Sequence, residues 1–215
     1  PEKVNEVWFG DHHVFDVFVT GPEGKPVRPW LTAWMDATSG ALMGWVISLN
    51  PDSDTIVESL VRGIGRTQGS PFFGAPLMVY IDNGKDYRSQ RMEGDGLKGY
   101  SQGQLNIDFN AQNALLKTLG IKVTHAIPYR AWSKTIERAF GTIERRFIQG
   151  MQPGWCGHDS QARPERLNQD IRDGKLLSYD EFCAYFVNTV LPGYHGLEGE
   201  DGESPLSIYQ KSEKA

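Results

Sequence analysis

The 215 residues, 39% of them hydrophobic and 23% charged, suit one globular domain that is large enough to bury an apolar core. No run of 18 apolar residues occurs, which excludes a membrane-spanning helix of ordinary length. The net charge of −5 argues against a domain that holds nucleic acid by bulk charge alone, but it leaves room for a locally basic groove around an acidic site.

The start of the chain and its cysteine content bear on whether it is a fragment and on its cellular compartment. The sequence begins at Pro1, without an initiator methionine or an apolar signal segment, so we expect a fragment of a longer protein. Cys156 and Cys183 are too few for a disulfide framework, which favours a reducing compartment. We therefore expect a cytoplasmic protein with no membrane association.

The first fifty residues predict three antiparallel strands. Residues 7–19 are rich in β-branched and aromatic side chains and predict one long strand, with Asp11 in its middle. Glycine and proline in residues 21–26 predict a turn. Strands over 30–35 and 42–48 follow, separated by a tight turn, so the three strands make an antiparallel meander.

The periodicity then becomes helical. Asp52 or Ser53 caps a predicted helix over 54–66. The apolar run 76–81 predicts a strand buried on both faces, and it ends at Asp82, where α/β sheets place ligands. The polar, glycine-rich residues 85–108 predict a mobile loop. A helix over 110–119 and a short strand over 121–126 follow.

A later helix carries a candidate ligand. Ile136, Phe140, Ile143 and Phe147 follow one stripe of an α-helix. Glu137 lies one residue past this stripe, about 100° round the helix, where a side chain can leave the core edge for a cleft. Mg²⁺ demands near-ideal octahedral geometry, so a carboxylate held rigidly on a packed helix suits it. The alternative is a solvated helix with charges on its outer face.

The order of elements is three strands, helix, strand, helix, strand, helix. It predicts an α/β fold with a mixed sheet, in which two parallel strands extend the antiparallel meander and helices flank both. We divide the chain into a core over 1–150, an irregular excursion and a C-terminal helix packing on the core over 151–192, and an extended tail over 193–215. The tail is expected to lead towards a missing C-terminal domain. Residues 155–158 lack the further ligands that a zinc site needs and are predicted to be a loop.

Three acidic residues can converge in such a sheet. If the first and fourth strands are neighbours and a helix packs across them, Asp11, Asp82 and Glu137 meet. Their mutual repulsion requires cations, and hard oxygen ligands select Mg²⁺ or Mn²⁺. Two such ions can activate an attacking oxygen and stabilise a leaving oxygen in phosphodiester chemistry.

Four motifs occur in order along the chain: WFGDHH at 8–13, WMDATSGALMGW at 34–45, YIDNG at 80–84 and IERAFG at 136–141. This ordered set resembles the catalytic core of the DDE transposase and retroviral integrase superfamily, and most of all its phage Mu transposase branch. The resemblance covers about residues 5–150 and implies an RNase H-like fold with Asp11, Asp82 and Glu137 as the metal-binding triad. It also implies a polynucleotidyl transferase that nicks transposon ends and transfers the freed 3′-OH into target DNA.

Each member of the triad has a rival nearby in the sequence: Asp16, Asp86 and Glu144. The sequence Gly10-Asp11 before a polar pair favours Asp11 over Asp16, and Asp86 is a weaker substitute for Asp82. The family pattern favours Glu137 over Glu144. The resemblance further implies a homo-oligomer on paired DNA ends, in a bacterial or phage cytoplasm and associated with the nucleoid.

Four basic residues are candidate DNA contacts. Arg88 and Arg91 in the predicted loop could close over DNA, and Lys134 and Arg138 could meet phosphates near Glu137. The alternative for these side chains is an ordinary solvated surface. Two alternatives for the whole domain also stay open: a nuclease of the same fold, such as a ribonuclease H or junction resolvase, and a non-catalytic DNA-binding or scaffold domain.

Overall fold

A mixed β-sheet lies at the centre of the molecule. The computed structural model describes residues 1–66, 70–81, 116–125, 134–150, 153–158 and 163–213. The strands in these residues are β1 (Val7–Val14), β2 (Val19–Thr20), β3 (Pro26–Val27), β4 (Trp30–Asp36), β5 (Leu42–Ser48), β6 (Met78–Ile81) and β7 (Lys122–His125). Five of these described strands form one sheet in the order β5-β4-β1-β6-β7, and β2 and β3 pair separately.

The pairing directions confirm the predicted sheet. β1 pairs antiparallel with β4, and β4 pairs antiparallel with β5, which gives the meander. β6 joins the other edge of β1 in parallel, and β7 pairs parallel with β6. The first and fourth strands of the predicted order are therefore neighbours.

The two faces of the sheet bury different cores because side chains alternate along β1. We call the side with Phe9 the front and the side with Trp8 the back. The front core contains Phe9, Phe15, Leu31, Met35, Ile136, Phe140, Ile143, Phe182 and Phe186. The back core contains Trp8, Trp34, Ile56, Leu60, Phe72, Val79, Ile81 and Tyr209.

The helices cover these two faces. They are α1 (Ser53–Ile64), α2 (Lys134–Ile143), α3 (Leu167–Arg172), α4 (Tyr179–Tyr185), α5 (Leu191–His195) and α6 (Pro205–Glu213). Helix α2 continues into a π-helical turn, Glu144–Ile148, and a second such turn, Phe186–Val190, joins α4 to α5. Asp52 caps α1, as predicted, by accepting a hydrogen bond from the Thr55 N–H at 2.9 Å. None of the helices in the described residues combines the length and the apolar character needed to cross a bilayer.

Helix α1 approaches β5 at backbone distance. A Cβ atom added at Gly44 would lie 2.0 Å from the Ser59 carbonyl oxygen and 2.6 Å from the Gly63 nitrogen. Only glycine leaves room for this approach, which is why α1 can cover the back of the meander so closely.

Helix α5 is fastened to the sheet by a buried histidine. Nε2 of His195 accepts a hydrogen bond from the Leu42 N–H at 3.0 Å, and the imidazole lies 4.4 Å from the Phe72 ring, centroid to centroid. Because Nε2 is the acceptor, the contact requires an imidazole that is unprotonated at this nitrogen.

The predicted long strand over 7–19 is wrong in its second half. β1 ends at Val14, and the chain turns away from the sheet after it. Arg28 holds this turn by donating to the Phe15 carbonyl at 2.8 Å and to Asp16 at 2.6 Å. The backbone beyond then pairs with residues 154–156 rather than with the sheet, since Val17 bridges to Trp155. Residues 155–158, predicted to be a loop, are anchored here.

The prediction of an extended tail over 193–215 is also wrong, because α6 occupies much of it. Ser204 caps this helix by accepting from the Ser207 N–H at 3.2 Å. Tyr209 is 1% exposed in the back core, and its hydroxyl donates to the Phe73 carbonyl at 2.6 Å. The Val4 N–H donates to the Ser212 hydroxyl at 3.2 Å, so the tail folds back onto the start of the chain.

Some predicted elements lie wholly or partly outside the described residues. These are the loop over 85–108 and most of the helix over 110–119. Gly120, which follows that helix, has the positive φ of 68° that a glycine allows at a helix end.

Candidate active site

Asp11 lies in the middle of the sheet, on the front face of β1. It shares this face with Phe9 and is opposite Ala33 of β4. Its Oδ1 accepts a hydrogen bond from the His12 N–H at 2.8 Å, and the residue is half-buried. The preceding Gly10 has a structural reason to be glycine, because a Cβ atom there would lie 2.5 Å from the Trp34 ring.

Asp82 lies outside the described residues, but its chain neighbour is placed. Ile81 is the last residue of β6 and is in register with Gly10, the chain neighbour of Asp11. One residue earlier, Phe9 is in register with Tyr80, and the two rings meet edge to face with centroids 5.6 Å apart. Residues in register across these two strands therefore share a face.

Helix α2 packs on the same front face and carries Glu137. Three residues of the predicted stripe are buried in it, since Ile136 and Phe140 are each 3% exposed and Ile143 is fully buried. Ala139, outside the stripe, is buried as well, whereas Phe147 lies in the π-helical turn and is half-buried. Phe140 stacks on His13 with ring centroids 5.1 Å apart. Since His13 is two residues beyond Asp11 on β1, the helix crosses close to the acidic position.

The contact between Phe140 and His13 fixes where Glu137 on the helix lies relative to Asp11 on the strand. Glu137 precedes Phe140 by about 4.5 Å along the helix axis. Asp11 precedes His13 by about 6.6 Å along the strand. Helix and strand run in the same sense here, because Glu144, at the start of the turn that continues α2, contacts both His13 and Asp16. Glu137 is thus displaced from the Phe140–His13 contact towards Asp11.

The surroundings of these carboxylates suit hard metal ions. Glu137 is exposed, and its carboxylate makes no hydrogen bond or ion pair with the other described residues. Asp11 and Glu137 both offer carboxylate oxygens, which are ligands that Mg²⁺ and Mn²⁺ prefer. No group of three acidic, histidine or cysteine residues within the described ranges could hold a metal, and Asp82 lies outside those ranges.

The two described rivals of the triad are engaged in internal contacts. Asp16 forms an ion pair with Arg28 at 2.6 Å. Burial, followed by the nearby charge of Glu144, raises the pKa of Asp16 above its usual value. Glu144 is 8% exposed, and its Oε1 accepts from the Asp16 N–H and meets Nε2 of His13, both at 2.9 Å. Asp86, the third rival, lies outside the described residues.

The predicted DNA contacts are only partly visible. Arg88 and Arg91 lie outside the described residues, and Lys134 is described only as the first residue of α2. Arg138 is exposed one residue beyond Glu137.

A further basic side chain, Arg145, was not among the predicted DNA contacts. Its guanidinium lies over Gly141, where an added Cβ would be 3.2 Å from Nη1. The sequence does indicate this position, because Glu137, Gly141 and Arg145 are spaced four residues apart and therefore lie on one side of the helix. The contact between His13 and Glu144 was also missed, and it joins residues 131 apart in sequence.

Comparison with known proteins was made on sequence and on structure. The model of the family described as "Integrase core domain" matches residues 1–131. The transposase for transposon Tn552 of Staphylococcus aureus is 30% identical over 188 residues, which is 86% of this chain and 33% of the relative. The Mu-like prophage FluMu transposase A of Haemophilus influenzae is 30% identical over 135 residues, 61% of this chain and 18% of the relative. The chain therefore spans a third or less of these curated relatives.

Among solved structures, a chain of the simian T-cell lymphotropic virus intasome in complex with PP2A regulatory subunit B56 gamma superimposes with a TM-score of 0.57. The match has 18% sequence identity and covers 97% of this chain and 55% of that chain. At this identity the likeness concerns the fold alone, and it agrees with the RNase H-like sheet.

Proposed function

This chain belongs to the integrase core domain family, and we propose that it is the catalytic domain of a DNA transposase. The single observation that carries the proposal is the register of β1 and β6. Gly10 pairs with Ile81, and the next residue in the chain after each of them is an aspartate, Asp11 and Asp82. Since consecutive Cα atoms are about 3.8 Å apart, we expect Asp82 close to the strand position of Asp11.

The third carboxylate supports the same assignment. Helix α2 covers the front face, and Glu137 leaves it on the Asp11 side of the Phe140–His13 contact. If the register continues by one residue, Asp82 shares this front face with Asp11, as Tyr80 does with Phe9. Asp11, Asp82 and Glu137 would then hold two Mg²⁺ or Mn²⁺ ions.

The chemistry that we propose is phosphodiester exchange in two steps. The metal ions, when bound, supply Lewis acidity at the attacked phosphate and favour the deprotonated form of the attacking oxygen. In the first step water attacks a phosphodiester at the transposon end, and the P–O3′ bond breaks to leave a 3′-OH. In the second step that 3′-OH attacks a target phosphodiester, a new P–O bond forms, and the displaced target 3′ oxygen takes up a proton. The protein forms no covalent bond to DNA.

The roles of the side chains follow from their positions. Asp11 would hold the ions from its position on β1, Glu137 from a helix packed on the same face, and Asp82 from the chain position that follows β6. Arg88, Arg91, Lys134 and Arg138 contact DNA phosphates. Transposon ends and target DNA are the proposed substrates, with two or more copies of the protein acting on paired ends.

The names of the two curated relatives support a transposase over a nuclease. The experiment that separates these functions follows joining as well as cutting. A labelled duplex with a free 3′-OH is incubated with supercoiled plasmid and Mg²⁺. Joining transfers the label to the plasmid, whereas cutting alone relaxes the plasmid without labelling it.

The decisive variant is Asp82→Asn, with Asp86→Asn as a matched control a few residues along the chain. We expect Asp82→Asn to lower both nicking and joining by about 10³-fold or more, since removal of a catalytic electrostatic group costs of this order. Asp86→Asn should retain activity within about threefold. Circular dichroism shows whether both variants fold. Undiminished joining by folded Asp82→Asn contradicts the assignment, and cutting without joining by the unsubstituted protein favours a nuclease.

A further inference from the structure

A buried carboxylate joins the helix of Glu137 to the strand of Asp11. Glu144 is 8% exposed and is the first residue of the π-helical turn that continues α2. Its Oε1 is the shared partner of two groups from the β1 segment, the Asp16 N–H and Nε2 of His13, each at 2.9 Å. Hydrogen bonds are directional, so these two contacts fix the position of the helix along the direction of the strand.

These contacts complete a frame around the proposed metal site. One side is β1, from Asp11 to His13. The other is α2 with the start of its π-helical continuation, from Glu137 to Glu144. Glu144 is two helical turns from Glu137, about 10.5 Å along the axis. The stacked rings of His13 and Phe140 form a cross-connection between the two sides. Because both sides are regular secondary structure, a shift of the helix at Glu144 moves Glu137 by a similar amount.

Apolar packing does not fix this alignment by itself. The front-core contacts of Ile136, Phe140 and Ile143 are non-directional, and they tolerate a small displacement of the helix along the strand. Hydrogen bonds to a buried carboxylate tolerate much less, since an acceptor withdrawn from its donors is left unsatisfied. The other oxygen, Oε2, is buried and has no hydrogen-bond partner among the described residues, so Oε1 carries the alignment.

We propose that Glu144, together with His13, is a positioning residue that sets Glu137 at the level of Asp11 for metal binding. This inference rests on the proposed function. Glu144 acts through the helix and does not hold the ions. Groups that orient metal ligands in this indirect way typically contribute 10- to 100-fold to metal affinity or activity.

The experiment measures the Mg²⁺ concentration that gives half-maximal strand joining. The substitution Glu144→Ala removes the acceptor, whereas Glu144→Gln keeps a carbonyl oxygen where Oε1 stands. We expect Glu144→Ala to raise the half-maximal Mg²⁺ concentration about tenfold, and Glu144→Gln to stay within about threefold of the unsubstituted protein. Glu137→Gln should abolish joining at every Mg²⁺ concentration.

Two further variants exclude a general loss of stability. His195→Ala removes a buried hydrogen bond at the Phe72 contact of the back core and should leave the half-maximal Mg²⁺ concentration unchanged in the folded protein. If Glu144→Ala does not fold, His13→Phe retains a ring against Phe140 and removes only the Nε2 contact. We expect it to raise the half-maximal concentration at least threefold.

The outcomes separate this inference from the function on which it rests. An unchanged Mg²⁺ requirement in Glu144→Ala, or in His13→Phe where Glu144→Ala does not fold, overturns the positioning role and leaves the transposase proposal intact. Loss of joining in Glu144→Gln to the level of Glu137→Gln overturns it as well, and identifies Glu144 as a ligand itself. If the unsubstituted protein shows no Mg²⁺-dependent joining, or Glu137→Gln joins normally, the proposed function fails and the positioning role fails with it.

Discussion

The buried imidazole of His195 makes the stability of this fold sensitive to pH. His195 is 6% exposed, and burial lowers its pKa from 6.5 to about 3. The Leu42 N–H also points at Nε2, so protonation would replace an acceptor by a donor that faces another donor. The perturbation that we consider is a fall in pH from 7.5 to 5.

Whether the fall in pH raises or lowers the free energy of unfolding depends on which state, folded or unfolded, binds the proton more readily. A histidine with a depressed pKa in the folded state is protonated first in the unfolded state. The contribution of His195 to the free energy of unfolding is fully retained above pH 6.5. It is lost progressively as the pH falls towards the pKa of about 3 in the folded state. Linkage between these two pKa values lowers the free energy of unfolding by about 2 kcal/mol between pH 7.5 and pH 5.

Urea denaturation followed by tryptophan fluorescence at the two pH values measures this loss. The matched variant is His195→Gln, because glutamine is of similar size, has a carbonyl oxygen that can accept from the Leu42 N–H, and does not titrate. Every other titrating group is common to both proteins. The loss in the unsubstituted protein should therefore exceed that in the variant by about 2 kcal/mol.

Equal losses in the two proteins, within about 0.5 kcal/mol, would refute this reasoning. They would mean that protonation of His195 costs no more in the folded protein than in the unfolded chain. A larger loss in the variant would refute it equally.

Three further predictions concern single side chains. Gly10→Ala should destabilise the fold by about 1–3 kcal/mol in urea denaturation, because its Cβ would lie 2.5 Å from the Trp34 ring, and full stability would show that the ring moves freely. Gly44→Ala should cost about 3 kcal/mol or more, since the obstacle is the Ser59 carbonyl at 2.0 Å, and a smaller loss would mean that α1 can lift off β5. Arg145→Ala should weaken DNA binding for all sequences alike and lower the slope of log K against log salt by about 1, whereas an unchanged slope would exclude a phosphate contact.

Two substitutions serve as controls for these three. Gly65→Ala changes a glycine with an ordinary φ of −74° whose added Cβ lies 3.3 Å from its nearest neighbour, so its stability should change by less than about 1 kcal/mol. Arg62→Ala removes an exposed arginine from α1, behind the sheet, and should leave the salt dependence of DNA binding unchanged.

Local patterns were sufficient for the meander and for α1. Strands β4 and β5 are separated by a turn that the sequence marks clearly, and the capping residue Asp52 marks the start of the helix. The stripe on α2 predicted which side of that helix would be buried, because helical periodicity is a property of neighbouring residues.

The errors have a different physical origin. The end of β1 depends on Arg28 and on the segment around Trp155, and no pattern within β1 itself reveals either partner. Helix α6 was missed because a start signal, Ser204 followed by Pro205, precedes only a sparse apolar spacing. The assignment of Asp82 remains a prediction, supported by the register of its neighbour.

The contact between Val4 and Ser212 has a practical consequence for experiments on this protein. Val4, Leu206 and Tyr209 all pack on the back core, so both described ends of the chain emerge behind the sheet. A fluorophore, affinity handle or surface linker fused at either end would start from the side facing away from Asp11. Immobilised or labelled protein should therefore present its acidic face to the solution, where a duplex can reach it unobstructed.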